Sequence, residues 1–143
     1  MEYKLFLIPL VIMVINQGLK VVVDMFRGEF SWPSVFSYGG MPSSHAAVVV
    51  SLATLMAHYE GLDSPAFAIS LILALLTIRD AVGIRWHLGT HGKILNRLVK
   101  ELPDSEEYRF PILKERFGHK STEVIVGMMV GFALTVLAIQ FIK

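Results

Sequence analysis

No charged residue interrupts the chain between Val124 and Ile142. At about 1.5 Å of rise per helical residue, such a run reaches across the ~30 Å hydrocarbon core of a bilayer, and few soluble domains carry one. Three further apolar segments precede it. Leu5–Val23 is interrupted only by polar Asn16, Gln17 and Lys20; Ala46–Ala57 falls short of a full crossing; Pro65–Ile78 is expected to continue through Arg79 and Asp80 to Ile84. Backbone groups in lipid must bond within their own segment, so each run is expected to be a helix.

Composition agrees with that pattern. Hydrophobic residues make up 54% of the 143 residues and charged residues 17%, too few charges to solvate a soluble domain of this size. The net charge of +1 leaves no footprint for nucleic acid, and the absence of cysteine excludes disulfides and thiolate-bound metal. The first run lacks a small-residue cleavage site and ends in Asn16-Gln17-Gly18-Leu19-Lys20, so it reads as a retained helix and not a leader. The expectation is an all-α, polytopic integral membrane bundle forming one domain over 1–143. About four principal membrane helices are joined by an interfacial amphipathic helix.

That interfacial helix belongs to the long polar connection Arg85–Ser121. Leu88, Leu95, Leu98 and Leu102 recur there at helical spacing, with Lys93, Arg97 and Lys100 elsewhere around the helix. Pro103 should end it, and a short helix from Pro111 to Phe117, stopped by Gly118, should follow. The first connection, Asp24–His45, is rich in aromatics suited to an interface, and His58–Ser64 reads as a tight turn containing Gly61. The first and third connections and their margins carry Lys20, Arg27, Arg85, Lys93, Arg97, Lys100, Arg109, Lys114, Arg116 and Lys120, against Lys4 and Lys143 opposite. Positive residues favour the cytoplasm, which puts those connections inside and both termini outside.

Every candidate for chemistry then falls on one side of the membrane. Gly39-Gly40-Met41-Pro42-Ser43-Ser44-His45 opens the second helix. Two glycines permit close backbone approach, Pro42 fits a first helical turn, and the following amides and hydroxyls face the positive end of a dipole. That is an anion site, with His45 beside it as a proton donor, although an ordinary capped helix start would read the same way. Lys20 and Arg27 lie seven apart at the end of the first helix; they are either ligands for an anion or snorkelling cations. His119 and Glu123, four apart at the start of the last helix, could meet on one face. A carboxylate there would fix the imidazole tautomer and leave the other nitrogen nucleophilic; alternatively Glu123 serves only the dipole. Arg79-Asp80-Ala81-Val82-Gly83-Ile84-Arg85 places two cations and a carboxylate at a helix end, where Asp80 could simply neutralise an arginine.

Together these motifs resemble the type 2 phosphatidic acid phosphatase superfamily. Pro42-Ser43-Ser44-His45 is similar to its Pro-Ser-Gly-His, Lys20 and Arg27 reproduce its Lys-x6-Arg, and His119 with Glu123 resembles its His-x3-Asp. The stretches Gly39–His45, Asp80–Arg85 and Gly118–Val124 look like its divergent branch of small membrane proteins. The resemblance implies that His119 is the nucleophile forming a phosphohistidine, that Glu123 orients it, and that His45 protonates the leaving alcohol. It implies that Lys20, Arg27, Ser43, and Ser44 with its neighbouring backbone hold the phosphate, without metal or cofactor. Three positions depart from the motif: Gly28 follows Arg27 where the wider family has proline, Ser44 stands where it has glycine, and Leu113 stands where its arginine is expected. Arg85 is the candidate replacement, ahead of Arg79 and Arg116, with Arg79 and Asp80 as possible supporting residues. The chain is shorter than the family's six-helix core, so a homodimer could complete the structure.

The expected function is removal of phosphate from a membrane lipid, phosphatidylglycerophosphate or phosphatidate, in a bacterial inner membrane with the site facing the cytoplasm. An undecaprenyl pyrophosphate phosphatase is the alternative if the site faces outward. A non-catalytic membrane protein that binds lipid headgroups is an alternative of another class.

Overall fold

The structure, a computed structural model, describes residues 2–28, 40–101, 110–113 and 121–141, apart from the side chains of Glu2, Arg85 and Trp86. The described residues form five helices and no strand: α1 Glu2–Phe26, α2 Ser44–Tyr59, α3 Pro65–Val82, α4 Ile84–Lys100 and α5 Ser121–Phe141. Three stretches are long and apolar enough to cross a membrane: Tyr3–Phe26, Pro65–Lys100 and Ser121–Phe141. The 16-residue α2 is shorter, about 24 Å. It is also the central helix, packed against α1, α3 and α5.

The bundle is inverted relative to a water-soluble protein. Asn16, Ser43, Ser51 and Thr135 are fully buried, while Phe6, Val14, Ile69 and Met129 are each more than 60% exposed. Large apolar side chains facing outward and small or polar ones facing inward suit a lipid solvent. The protein is an integral membrane helical bundle.

Small residues set the helix spacing. A Cβ on Gly127 would collide with the backbone oxygen of Ser43 and lie 3.0 Å from its nitrogen; one on Gly131 would collide with the Ala47 oxygen and lie 2.7 Å from its Cα. Glycine at these two positions lets α5 touch the α2 backbone directly. Because 127 faces 43 and 131 faces 47, α2 and α5 run parallel. Helix α1 runs the other way: Asn16 bonds Pro42 and Ser44 at the start of α2, while Ile8 and Ile12 share a core cluster with Ala47 and Leu55 further along it. A second cluster of Ala46, Ala81 and Val124 joins the start of α2, the end of α3 and the start of α5. Helix ends carrying the sequence-predicted chemistry therefore meet at one end of the bundle.

Three sequence expectations need correction. The third segment does not run unbroken to Ile84: α3 stops at Val82, Gly83 donates its N–H to Arg79 O at 2.8 Å, and α4 begins at Ile84 and ends at Lys100. A Cβ on Gly83 would lie 2.9 Å from the Arg79 oxygen, so the break uses a residue without one. The helix expected from Pro111 is absent from its described part. Residues 110–113 are irregular because the Asn96 amide captures their backbone, donating to Leu113 O and accepting from Leu113 N–H, both at 2.8 Å. Thirdly, Pro42 precedes the first turn of α2 instead of lying in it. The cap is Ser43, whose hydroxyl accepts from Ala46 N–H at 3.4 Å.

Helix α4 packs against α3 and has the expected amphipathic character. Gly89, Gly92 and Asn96 are buried, Leu88, Leu95 and Leu98 are exposed together on one side, and Lys93 and Lys100 are exposed elsewhere.

Candidate functional site

The loop Gly40–Ser43 is held from two sides, by α5 and by α1. Ser43 donates its backbone N–H to the carbonyl of Glu123 at 3.1 Å, tying the α2 cap to the first turn of α5. Gly127, one turn further along α5, permits that contact by offering no Cβ. From α1, the Asn16 amide donates to Pro42 O at 3.2 Å and to Ser44 Oγ at 3.1 Å.

Lys20 reaches the same loop. Its side chain packs on Gly40, where an added Cβ would lie 2.8 Å from Lys20 Cε, and Gly40 has φ +98°, a conformation that favours glycine. Only 4% of Lys20 is exposed, and the carboxylates of Asp24 and Glu123 both attract its ammonium. This explains how a cation is tolerated at a membrane helix end: it is paired within the protein.

Arg27 lies just past the end of α1, exposed, with Nη2 3.7 Å from the sulfur of Met41. Gly28 follows it at φ +66° and bonds Met25 O at 3.1 Å, closing the helix with a left-handed residue. The glycine that departs from the wider family's proline is thus the stop of α1, and it leaves Arg27 beside the loop. His45 is the second residue of α2 and is exposed.

Lys20, Arg27, Ser43, Ser44, His45 and Glu123 therefore gather around one loop. Asp80 and Arg79 lie in the last turn of α3, whose Ala81 packs on Ala46 and Val124; Asp80 is half-buried, while Arg79 is exposed and lies about 200° around the helix from Ala81. Arg85 is the second residue of α4, with its side chain outside the described part. His119 and Arg116 lie outside the described residues altogether.

Several residues at this end escaped the sequence reading. Asn16 and Gln17 look like mere interruptions of an apolar run, yet their spacing to Lys20 and Asp24 was a usable signal: Asn16, Lys20 and Asp24 recur every four residues, on one helical face, and all three are buried. Gly127-x3-Gly131-x3-Thr135 was equally legible as a small-residue seam. Among the described residues no group of three or more His, Asp or Glu is arranged to hold a metal ion.

Lys20, Arg27, Asp24 and Glu123 thus surround a glycine loop at the start of α2, at one end of a bundle with large apolar side chains on its outside, and the sequence matches the divergent PAP2 family over residues 1–134. The chain belongs to that family. It is also similar to a protein named as an uncharacterized membrane protein, YuiD, of Bacillus subtilis (strain 168), with 38% identity over 137 residues covering 87% of each chain. No solved structure matches.

Proposed function

We propose that this protein is a metal-independent lipid phosphate phosphatase acting on a phosphomonoester such as phosphatidylglycerophosphate or phosphatidate. The observation that carries the reading is the convergence of buried Lys20, exposed Arg27 and the Gly40–Ser43 loop at one end of a bundle whose sides face lipid. A phosphate on a lipid headgroup would reach such a site without leaving the interface. Lys20, Arg27, Ser43 and the backbone near Ser44 would hold its oxygens, and Arg85 would supply a further guanidinium. The carboxylates of Asp24 and Glu123 both attract the Lys20 ammonium, so the arginines would supply positive charge that Lys20 shares with them.

In the reaction, an imidazole nitrogen of His119, held by Glu123, attacks phosphorus. The bond from phosphorus to the lipid oxygen breaks, and His45 gives that oxygen its proton. Water then attacks the phosphohistidine, returns a proton to His45 and releases inorganic phosphate. The family membership supports these roles, as does the position of Glu123 in the first turn of α5, four residues after His119.

The test is phosphate release by the purified protein from a panel of phospholipid and polyprenyl phosphates in the presence of chelator. Turnover of a phospholipid monoester, inhibited by vanadate, is expected; a strict magnesium requirement would sink the mechanism. Preference for undecaprenyl pyrophosphate would replace the substrate class, and headgroup binding without turnover would leave a lipid-binding protein. His119→Ala should abolish turnover. His45→Ala should slow alcohol leaving groups by about 10²–10⁴-fold and a nitrophenol much less, because a good leaving group needs little protonation. Equal losses for both would remove His45 from the acid role.

A further inference from the structure

Ser44 is the residue that fits the phosphate-loop pattern worst. It stands where the resembling motif has glycine, and its hydroxyl would seem a ready phosphate ligand. The hydrogen bonds around it point elsewhere. Pro42 O can only accept, so the Asn16 amide nitrogen must face it, which settles the orientation of that amide. The same nitrogen donates its other hydrogen to Ser44 Oγ at 3.1 Å. The Ser44 hydroxyl gives its own proton to Gln17 Oε1, 2.9 Å away. A hydroxyl has one proton to give. Once that proton is on Gln17, Ser44 has no donor left for a phosphate oxygen, which can only accept.

We infer that Ser44 is a latch to α1 rather than a phosphate ligand, and that Asn16 and Gln17 are positioning residues that hold the anion loop through it. Asn16 is fully buried and spends both amide hydrogens on the loop, one on the Pro42 carbonyl and one on Ser44. One turn later on the same face of α1, Lys20 packs against Gly40. The latch therefore sets the register between the cation and the loop that it serves. It also accounts for serine in place of glycine: the side chain is spent between helices.

The inference rests on the phosphatase reading for its activity measurement but not for its structural one. The full chain would be purified in detergent as wild type, Ser44→Ala, Gln17→Met and the double variant. Inhibition by inorganic phosphate gives a Ki that does not depend on the fraction of active molecules, and thermal unfolding is followed alongside. If Ser44 is a latch, either single change breaks the same bond. Both should raise the phosphate Ki by a similar factor, about fivefold for an ordinary hydrogen bond, and the double variant should be no worse than either single one. The unfolding midpoints should show the same non-additive pattern. If Ser44 were instead a phosphate ligand, Gln17→Met would free its proton for substrate. Unchanged or tighter phosphate binding in Gln17→Met, with weaker binding in Ser44→Ala, would overturn the latch. Additive effects, or no effect of Ser44→Ala on either measurement, would overturn it too. A wild type that neither turns over nor responds to phosphate would count against the phosphatase reading alone, and the unfolding midpoints would still decide the latch.

Discussion

Lys20 has two tasks that a pair of substitutions can separate. Its ammonium offsets Asp24 and Glu123 inside the bundle, and its side chain lies against the loop that would hold phosphate. Lys20→Met leaves Asp24 without its cation, at a cost of up to about 3–5 kcal/mol for a buried pair broken on one side. Adding Asp24→Asn removes the stranded charge. The double variant should regain much of the lost thermal stability yet stay inactive, as read by unfolding midpoint and phosphate release on the same preparation. Recovery of both together would reduce Lys20 to a structural role. Gly40→Ala should act at the same place, because φ +98° strains any other residue by about 1–3 kcal/mol and the new Cβ would press on Lys20 Cε. Weaker inhibition by phosphate is the expected readout. The sequence announced Lys20 through its spacing to Arg27, but it pointed to Asp24 only through the four-residue repeat shared with Asn16 and Lys20, a weak signal because a carboxylate at a helix end is ordinarily solvated. Only the burial of Asp24 shows that it belongs to the cluster.

Helices α2 and α5 meet backbone to backbone, and the two glycines of that seam have different neighbours. Gly127 lies against Ser43, the cap of the anion loop, whereas Gly131 lies against Ala47, one turn further from it. Alanine at either position must push the helices apart, at about 1–3 kcal/mol for overpacking. Gly127→Ala should also shift Ser43 off the Glu123 carbonyl and weaken phosphate inhibition, while Gly131→Ala should lower the unfolding midpoint with less change in Ki. Equal changes in Ki would mean that the seam transmits its strain along its whole length. The helices themselves were legible in the apolar runs, since an uninterrupted run in lipid has no alternative to a helix. The breaks were not. Gly83 reads as one more small residue in a helical pattern, and the irregular path of residues 110–113 depends on Asn96, seventeen residues away in sequence. Local periodicity contains nothing about a side chain that captures a distant backbone.

Four helix ends meet where the site lies, and the membrane gives that meeting a direction. The starts of α2 and α5 and the ends of α1 and α3 share one end of the bundle, so a single crossing direction fixes the side on which the described candidate residues of these helix ends lie. The excess of basic residues flanking that end points to the cytoplasm, where the proposed phospholipid substrates would be presented by the inner leaflet. Two of those cations are held against the loop: Lys20 is buried against Gly40 and Arg27 bonds Met41. They would be present whichever way the protein faced. Lys93, Arg97 and Lys100, exposed on α4, carry the orientation argument better. A chain without cysteine makes the test clean. Single cysteines at Leu62, in the turn between α2 and α3, and at Ile112, next to the Leu113 held by Asn96 of α4, are both on exposed positions. In intact cells an impermeant maleimide should label Leu62→Cys and spare Ile112→Cys until the membrane is opened. The reverse pattern would turn the site outward. In that orientation a polyprenyl pyrophosphate becomes the better substrate, because the same cations would then face lipids presented on the outer surface.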